Sequence, residues 1–205
     1  AQPTIQRVFD DLGRLVEGAK VQPERMRASL LTKGTIQVSA TAATGRDTTY
    51  AYNFDTTGEW ASENNEVLTG TSTWTEANTD TSTPIDDLWD ACEALRDQEG
   101  AIAVTALMNT TTLRGLLASL QLRKALNPVG WQNVVTSRAQ LTQFVQAETG
   151  LTIELYDKQF VDEQGVTRKF IEDGYVVLLP QGNVGETWYG TTPEEFDLLG
   201  GNTEA

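Results

Sequence analysis

Residues 174–196 read Gly174-Tyr-Val-Val-Leu-Leu-Pro-Gln-Gly-Asn-Val-Gly-Glu-Thr-Trp-Tyr-Gly-Thr-Thr-Pro-Glu-Glu-Phe196. They begin with a continuous apolar run, Tyr175 to Leu179, which is typical of a β-strand that is buried on both faces. A polar loop that contains glycine follows, and after it comes a second segment with the aromatic pair Trp188 and Tyr189. The pattern predicts a strand in the centre of a sheet, then a loop and a second, aromatic strand.

Upstream of this segment, helix and strand patterns alternate. A helix is predicted to start at Pro84, the first helical position after Thr83, and to end at Gly100. Its buried stripe is Ile85, Leu88, Trp89, Cys92 and Leu95. A buried strand is predicted over Ala101 to Met108.

Two further helices and a hairpin are predicted after that strand. Asn109 is the predicted N-cap of a helix through Leu113, Leu116 and Leu117, and a second helix is predicted from Ser137 to Thr149. Thr152 to Tyr156 and Thr167 to Ile171 flank a turn near Gly165, and this predicts a β-hairpin.

The first part of the sequence has a different organisation. One amphipathic helix is predicted from Thr4 to a stop at Gly18, and a second from Pro23 to Lys33. Thr35 to Thr41 and Thr48 to Phe54 then predict a hairpin with aromatic residues on one face. Residues 55–83 are rich in Thr, Ser, Asn, Asp and Glu, which is typical of an extended connection.

Composition excludes several classes of function. The 205 residues include 29 acidic and 15 basic ones, a formal net charge of −14, and such a surface repels phosphate backbones and anionic membranes. Histidine is absent, so Ser-His-Asp and Cys-His catalytic sites are excluded. Cys92 is the single cysteine, so a zinc site of several thiolates is excluded too. The apolar run from Val176 to Leu179 is far too short to cross a bilayer.

The few motifs that resemble reactive sites have simpler interpretations. The run Asp55-Thr-Thr-Gly58 is similar to the turn of aspartic proteases, but a second Thr interrupts it and no second copy exists, so a polar turn is favoured. Asp157, Asp162 and Glu163 surround a turn, where a solvated hairpin tip is favoured over a cation site. Catalytic, cofactor-binding and metal-ligating residues are therefore not predicted.

Four tryptophans in polar segments are the candidate interaction residues: Trp60, Trp74, Trp131 and Trp188. An aromatic side chain in a polar loop either fastens that loop to the body of the protein or anchors a partner subunit. The sequence leaves both interpretations open, and the four residues are candidates for subunit interfaces.

Several landmarks, in order, resemble those of the lambda-type major capsid protein E family of tailed bacteriophages. They are Glu24-Arg-Met-Arg-Ala-Ser-Leu-Leu-Thr-Lys-Gly-Thr-Ile-Gln-Val38; Trp74 with Pro84-Ile-Asp-Asp-Leu88; Leu107-Met-Asn109 with Leu113; Tyr156-Asp157 with Asp162 and Gly165; and Val177-Leu-Leu-Pro180 with Tyr189-Gly190-Thr191. Each motif alone has low specificity, and the resemblance rests on their shared order.

The resemblance implies an α+β capsid fold of two domains. A peripheral domain, with a spine helix and a long β-hairpin, would comprise residues 1–83, and residues 183–205 would return to it. An axial domain, a mixed sheet flanked by helices, would comprise residues 84–182. The family also carries an N-terminal arm and an extended loop ahead of the spine helix, and the sequence before Pro23 is too short for both.

The resemblance also implies a function without catalysis. The chain would be a structural subunit of an icosahedral phage or prophage capsid, assembled in the bacterial cytoplasm as hexamers and pentamers that enclose double-stranded DNA. Its partners would be copies of itself and scaffold, portal and decoration proteins, with weak, non-specific DNA contact and no membrane. The alternatives are the shell protein of a cellular nanocompartment and a monomeric binding module with Trp-bearing loops.

Overall fold

The computed structural model of the chain describes residues 2–41, 47–130, 137–162, 165–188 and 190. Within these ranges it describes every side chain except those of residues 2–16, 38–41, 47–49 and 63. The described residues form helices together with one mixed sheet and two hairpins, which is an α+β arrangement. No helix within these ranges combines the length and apolar composition that spanning a membrane requires.

The first helix, α1, is one continuous helix from Gln2 to Lys33, so the predicted division into two helices is wrong. Pro23 lies inside it, and Gly18 does not adopt the left-handed conformation of a helix stop. An interior proline costs roughly 3 kcal/mol because it removes a hydrogen bond and crowds the preceding turn. Contacts of the following residues with the rest of the chain offset that cost. Gly34, at φ 63°, ends the helix.

Strands β1 (Thr35–Thr41) and β2 (Asp47–Asn53) pair antiparallel directly after α1. Ile36 stands opposite Tyr52, and Val38 opposite Tyr50. Directly opposed residues lie on the same face of an antiparallel pair. Among the described side chains, Ile36 and Tyr52 therefore share one face of this hairpin, and Gln37 and Ala51 share the other.

The central sheet has the order β4-β3-β7, with β3 (Ala103–Met108) in the middle. Strand β4 (Thr152–Leu155) runs parallel to β3, and β7 (Val176–Pro180) runs antiparallel to it. The prediction that the apolar run Tyr175 to Leu179 is central is wrong, because β7 is an edge strand of the described sheet. Its side chains are half-buried except that of Val177, which is buried. The apolar run therefore reflects the packing of its side chains, since β7 pairs with a neighbouring strand on one side only.

The predicted second hairpin also forms between other strands. Strand β5 (Gln159–Val161), instead of β4, pairs with β6 (Thr167–Lys169). The shorter loop between β5 and β6 suits a hairpin, because close strand ends are the easiest to join by a tight turn. Gly165, at φ 79°, lies in that loop. Residues 152–155 are thereby left to extend the central sheet.

Four helices pack with the sheet around one core: α3 (Pro84–Glu99), α4 (Thr110–Ala118), α5 (Leu120–Leu126) and α6 (Arg138–Thr149). The predictions of α3, β3, α4 and α6 are confirmed. Helix α5 was not predicted. The buried apolar core comprises Ile85, Leu88, Ala103, Ala106, Met108, Leu113, Leu116, Leu117, Leu122, Leu141, Val145 and Leu151.

One residue of the predicted stripe on α3 does not join this core. Trp89 is 47% exposed, whereas its neighbour Leu88 is buried. Successive residues of an α-helix are rotated by about 100°, so Trp89 lies on the flank of the helix and not on its buried face. Cys92 and Leu95 pack half-buried against the core.

The second half of α1 contacts residues 156–172, which include β5 and β6, through polar and charged side chains. Glu24 accepts hydrogen bonds from the Tyr156 hydroxyl and, at 2.8 Å, from Lys158 Nζ. The Arg25 guanidinium lies 4.8 Å from the centre of the Phe160 ring. Lys33 pairs with Glu172 at 3.0 Å near the end of the helix. These contacts dock α1 after its interior proline.

The docking of Glu24 should make stability depend on pH. Hydrogen bonds, first from Lys158 and then from Tyr156, lower the pKa of Glu24 below its ordinary value of 4.5. A carboxyl group whose pKa is lower in the folded protein than in the unfolded chain contributes its full stabilisation above the unfolded-state pKa. That contribution is lost as the pH falls through the folded-state pKa. Glu24→Gln should therefore lose stability at neutral pH and much less in acid. Urea unfolding of the unmodified chain and of Glu24→Gln between about pH 3 and pH 7 measures the free energy of unfolding at neutral pH and in acid. Parallel profiles for the two proteins would contradict the assignment.

Candidate interaction surfaces

Trp74 fastens the polar connection to the helical core. Its indole Nε1 donates a hydrogen bond to Asp87 Oδ2 at 2.6 Å, and its ring is half-buried against the core. Burial raises the pKa of Asp87, although the bond from Trp74 opposes that effect. The intrachain role of Trp74 is thereby defined, and its role in a subunit interface stays a prediction.

Gly115 of α4 allows the connection to approach so closely. A Cβ atom at this position would lie 2.0 Å from the Trp74 carbonyl oxygen and 2.9 Å from the carbonyl carbon. Both are backbone atoms, which cannot move as a side chain can. Gly115 is thus a packing requirement that sequence reasoning missed, because a glycine inside a helix pattern usually signals only lower helix propensity.

Trp60 performs a similar function at the end of α1. Its ring lies over Gly34, where an added Cβ would be 3.0 Å from the ring. It belongs to the short helix α2 (Glu59–Glu63), whose first amides, those of Trp60 and Ala61, each donate at 3.0 Å to the Asp55 carboxylate. The Asp55 to Gly58 motif is therefore a polar capping turn, as favoured from the sequence. An interface role for Trp60 also stays a prediction.

Of the remaining two candidate tryptophans, the structure describes Trp188. Trp188 is 87% exposed, in an extended segment that is tied to α1 where Arg27 Nε donates to Thr187 Oγ1 at 3.0 Å. An indole so exposed on a segment held in place is available to a partner. Trp131 lies outside the described residues.

An exposed aromatic surface lies on the β1–β2 hairpin. Tyr50, Tyr52 and Phe54 are 56%, 56% and 63% exposed and follow one another at alternate positions. Alternation places them on a single face, beside half-buried Ile36. The predicted aromatic face is thus left open to solvent, although the candidate list from the sequence included only tryptophans.

A polar network joins α4 to the strands around it. Asn109 is fully buried, and its Oδ1 accepts from the Thr112 amide at 2.9 Å while its Nδ2 donates to Asp173 Oδ1 at 2.8 Å. Lys169 Nζ donates to the same Asp173 oxygen at 2.6 Å. The hydrogen bond from Lys169 is the main reason that the pKa of Asp173 lies below its ordinary value. The predicted N-cap role of Asn109 is confirmed.

The carboxylates considered for a cation site are engaged within the chain. Asp157 accepts from the Thr110 amide at 2.8 Å and from the Thr110 hydroxyl, and these bonds lower its pKa. Buried Asp162 accepts from the Val166 amide at 2.8 Å and from Arg168 Nε at 2.5 Å. Glu163 lies outside the described residues. Among those residues, no group of three or more His, Cys, Asp or Glu side chains could hold a metal ion.

Comparison with known proteins shows similarity both in sequence and in fold. A sequence model of the family described as phage major capsid protein E matches residues 1–205. The chain is also similar to the crystal structure of a protein assigned as a prophage capsid protein from E.coli CFT073, with a TM-score of 0.50 and 16% identity. None of the curated proteins matches significantly.

The structural similarity covers 82% of this chain and 47% of the E.coli CFT073 chain, so this chain spans about half the length of that protein. At 16% identity the similarity concerns the fold alone. It agrees with the mixed α+β architecture expected from the sequence.

Proposed function

Because this chain belongs to the phage major capsid protein E family, we propose that it is a structural, non-catalytic subunit of a phage or prophage capsid. The observation that carries the proposal is the family match over residues 1–205. The similarity to the fold of a protein assigned as a prophage capsid protein supports it. The chain would be located in the virion capsid.

The aromatic face of the β1–β2 hairpin supports self-association. Tyr50, Tyr52 and Phe54 are each more than half exposed. Exposed contiguous aromatic patches with a polar surround are typical of protein interaction sites, because burying them in a partner releases hydration water from apolar surface. We infer that this face and Trp188 contact neighbouring subunits.

The assembly would consist of hexamers and pentamers that enclose double-stranded DNA. Repeated heterologous contacts around local axes can close a shell. A net charge of −14 disfavours tight binding of duplex DNA and is compatible with weak, non-specific contact at the inner wall. Scaffold, portal and decoration proteins are further proposed partners, and assembly would take place in the cytoplasm of the bacterial host.

We further propose that the described elements correspond to two capsid domains. Helix α1 and the β1–β2 hairpin would form the peripheral domain within residues 1–83, and the central sheet with α3 to α6 the axial domain within residues 84–182. The bond between Arg27 and Thr187 supports the return of residues 183–205 to the peripheral domain. Trp74 packs against the core, so the end of the connection would link the peripheral domain to the axial domain.

Electron microscopy of the purified chain at increasing concentration tests the proposal. We expect closed shells or capsomer-sized rings from the unmodified chain, and a large loss of them from Tyr52→Ser combined with Phe54→Ser. Ala51→Ser is the matched control, because Ala51 is exposed on the opposite face of the same strand. The control should assemble normally, and circular dichroism checks that all variants are folded.

Three results would overturn parts of this proposal. A chain that stays monomeric at every concentration would contradict the capsid role and favour a monomeric binding module. Small shells that co-purify with an enclosed protein and exclude DNA would favour a nanocompartment. Normal assembly of the double variant would retain the capsid role and remove the aromatic face from the interface.

A further inference from the structure

Strand pairing holds the three exposed aromatic residues of the β1–β2 hairpin in one line. The Phe54 amide donates to the Gly34 carbonyl at 3.1 Å, so the pairing of the two chain segments continues for one residue beyond β2. Phe54 therefore stays in line with Tyr50 and Tyr52 on the aromatic face. From Tyr50 to Phe54 this face extends about 14 Å, since each residue of a strand adds about 3.4 Å.

The aromatic face lacks a covering layer in the described part of the chain. Its three rings are each more than half exposed, and on the opposite face Gln37 and Ala51 are exposed as well. Two strands alone are marginally stable in water, and they need a further strand or layer that buries their apolar face. A surface that covers the aromatic face would therefore stabilise the hairpin and remove three rings from water.

The hairpin is also nearly free of charge. Residues 35–54 include two charged residues, Arg46 and Asp47, whose charges sum to zero, whereas charged residues make up 21% of the whole chain and leave it at −14. Identical acidic subunits repel each other wherever carboxylates face carboxylates. The hairpin is therefore a place where two copies can come into contact without that repulsion.

A surface that covers the aromatic face has to be apolar and of similar length. Trp188 offers a single exposed ring, and Ile102 and Val104, at the start of β3, form an aliphatic pair about 7 Å long. Among the described residues, the other exposed large apolar side chains do not occupy alternate positions of one strand. Within that part of the chain, the surface that matches the aromatic face in length and in lack of charge is the same face of another copy.

We propose that the aromatic face packs on the aromatic face of a second copy of this chain, in a two-fold symmetric contact. In such a contact the same patch of both subunits meets itself. Tyr52 is the middle residue of the face, so the two Tyr52 side chains lie nearest to the axis. Sheets that pack face to face are about 10 Å apart, and aromatic rings fill this space in offset or edge-to-face pairs.

This inference rests on the proposed capsid function and specifies one of its contacts. Contacts around a ring of subunits are heterologous, whereas a two-fold contact joins two subunits through the same patch. The aromatic face would therefore connect subunits of neighbouring capsomers and not subunits of one capsomer.

Mixing of oppositely charged variants distinguishes a face that meets itself from a face that meets another surface. Tyr52→Lys and Tyr52→Glu, each alone, would bring two like charges together at the axis. Each should weaken association about tenfold or more, as measured by sedimentation velocity at low salt. An equimolar mixture of the two variants should regain most of the association, because opposite charges then face each other. A face that binds a different surface gains nothing from such mixing.

The matched controls are Ala51→Lys and Ala51→Glu. They introduce the same charges at an exposed position on the opposite face of the same strand. Both should associate as the unmodified chain does, alone and in the mixture. Circular dichroism checks that every variant is folded.

Cross-linking provides a second measurement, which introduces no charge. Cys92 is the single cysteine, so Tyr52→Cys in a Cys92→Ala background offers one thiol at the proposed axis. A bis-maleimide that spans about 10 Å, the distance between packed sheets, should then yield a covalent dimer. Ala51→Cys in the same background should yield little of it. This measurement keeps the test valid if a charged variant does not fold.

The outcomes separate this inference from the proposed function. If the unmodified chain assembles but the mixture stays as weak as each variant alone, or Tyr52→Cys yields no covalent dimer, the face does not meet itself and the capsid role stands. Equal assembly of the unmodified chain and of both single variants would also overturn the contact. Recovery of Tyr52→Glu by mixing with Ile102→Lys would show instead that the face binds the start of β3 of a neighbour. An unmodified chain that never associates overturns both.

Discussion

Gly115→Ala is expected to destabilise the protein by about 3 kcal/mol, although alanine is the better helix former. The new Cβ would lie 2.0 Å from the Trp74 carbonyl oxygen, a distance that forces backbone to move. Moving the connection away from α4 also removes Trp74 from the core and from its bond with Asp87. Loss of these contacts adds to the steric cost.

The matched control is Gly18→Ala. Gly18 also lies in a helix, but a Cβ there would meet nothing within 4 Å. This substitution should stabilise the protein by roughly 0.8 kcal/mol, the propensity difference alone. Urea unfolding followed by tryptophan fluorescence and by circular dichroism measures both variants. A Gly115→Ala protein as stable as the unmodified chain would show that the connection does not pack on α4 in this way.

The glycines illustrate why some features were predicted from the sequence and others were not. Gly100 and Gly150 end α3 and α6 by adopting positive φ, a local property that sequence patterns capture. Gly115 is set by a contact with Trp74, forty-one residues earlier in the sequence. Nothing in the neighbourhood of Gly115 indicates which backbone segment lies above it.

The same difference between local and long-range determinants explains the errors in the strands and in α1. The apolar composition of residues 175–179 predicts burial correctly for Val177, but strand order is decided by which segments pair, and β3 took the central position. Pro23 is a local signal for a helix start, and docking of Glu24 onto Tyr156 and Lys158 favours a continuous helix instead. Tertiary contacts outweighed propensity there.

For the candidate surfaces, the sequence indicated which residue types to consider, but it did not indicate which of those residues are exposed. All tryptophans in polar segments were equivalent in the sequence, yet Trp60 and Trp74 pack within the chain while Trp188 is exposed. Trp89 was assigned to the core because it adjoins Leu88 in an apolar pattern. On the helix, Trp89 is rotated by about 100° from Leu88. A small error in the predicted position of the buried stripe therefore decides whether such a residue is assigned to the core or to the surface.

The second large effect is expected at Asn109. Its side chain is fully buried and bonds on both ends: Oδ1 accepts from the Thr112 amide and hydroxyl, and Nδ2 donates to the Ile171 carbonyl at 3.1 Å and to Asp173. Asn109→Ala removes an N-cap, which costs about 1 kcal/mol, and leaves buried polar groups unpaired at about 1–3 kcal/mol. A loss of about 3 kcal/mol is therefore expected from chemical unfolding, against almost none for the exposed control Asn64→Ala.

Asn109→Asp separates the two roles of this side chain. An aspartate keeps the cap but replaces the donor Nδ2 with an acceptor that faces the Ile171 carbonyl and the Asp173 carboxylate. Burial and the neighbouring negative charge should raise the pKa of the new carboxyl in the folded state. Its stability should then fall as pH rises through the interval between the unfolded and the raised folded pKa, and partly recover in acid, where the protonated group can donate again. Asn109→Ala lacks this group and should show the pH dependence of the unmodified chain, apart from a small change in acid where the loss of its bond to Asp173 raises the pKa of that carboxyl. If Asn109→Asp also follows that dependence, Asn109 acts only as a helix cap, and the joining of α4 to the Ile171–Asp173 segment must rest on other bonds.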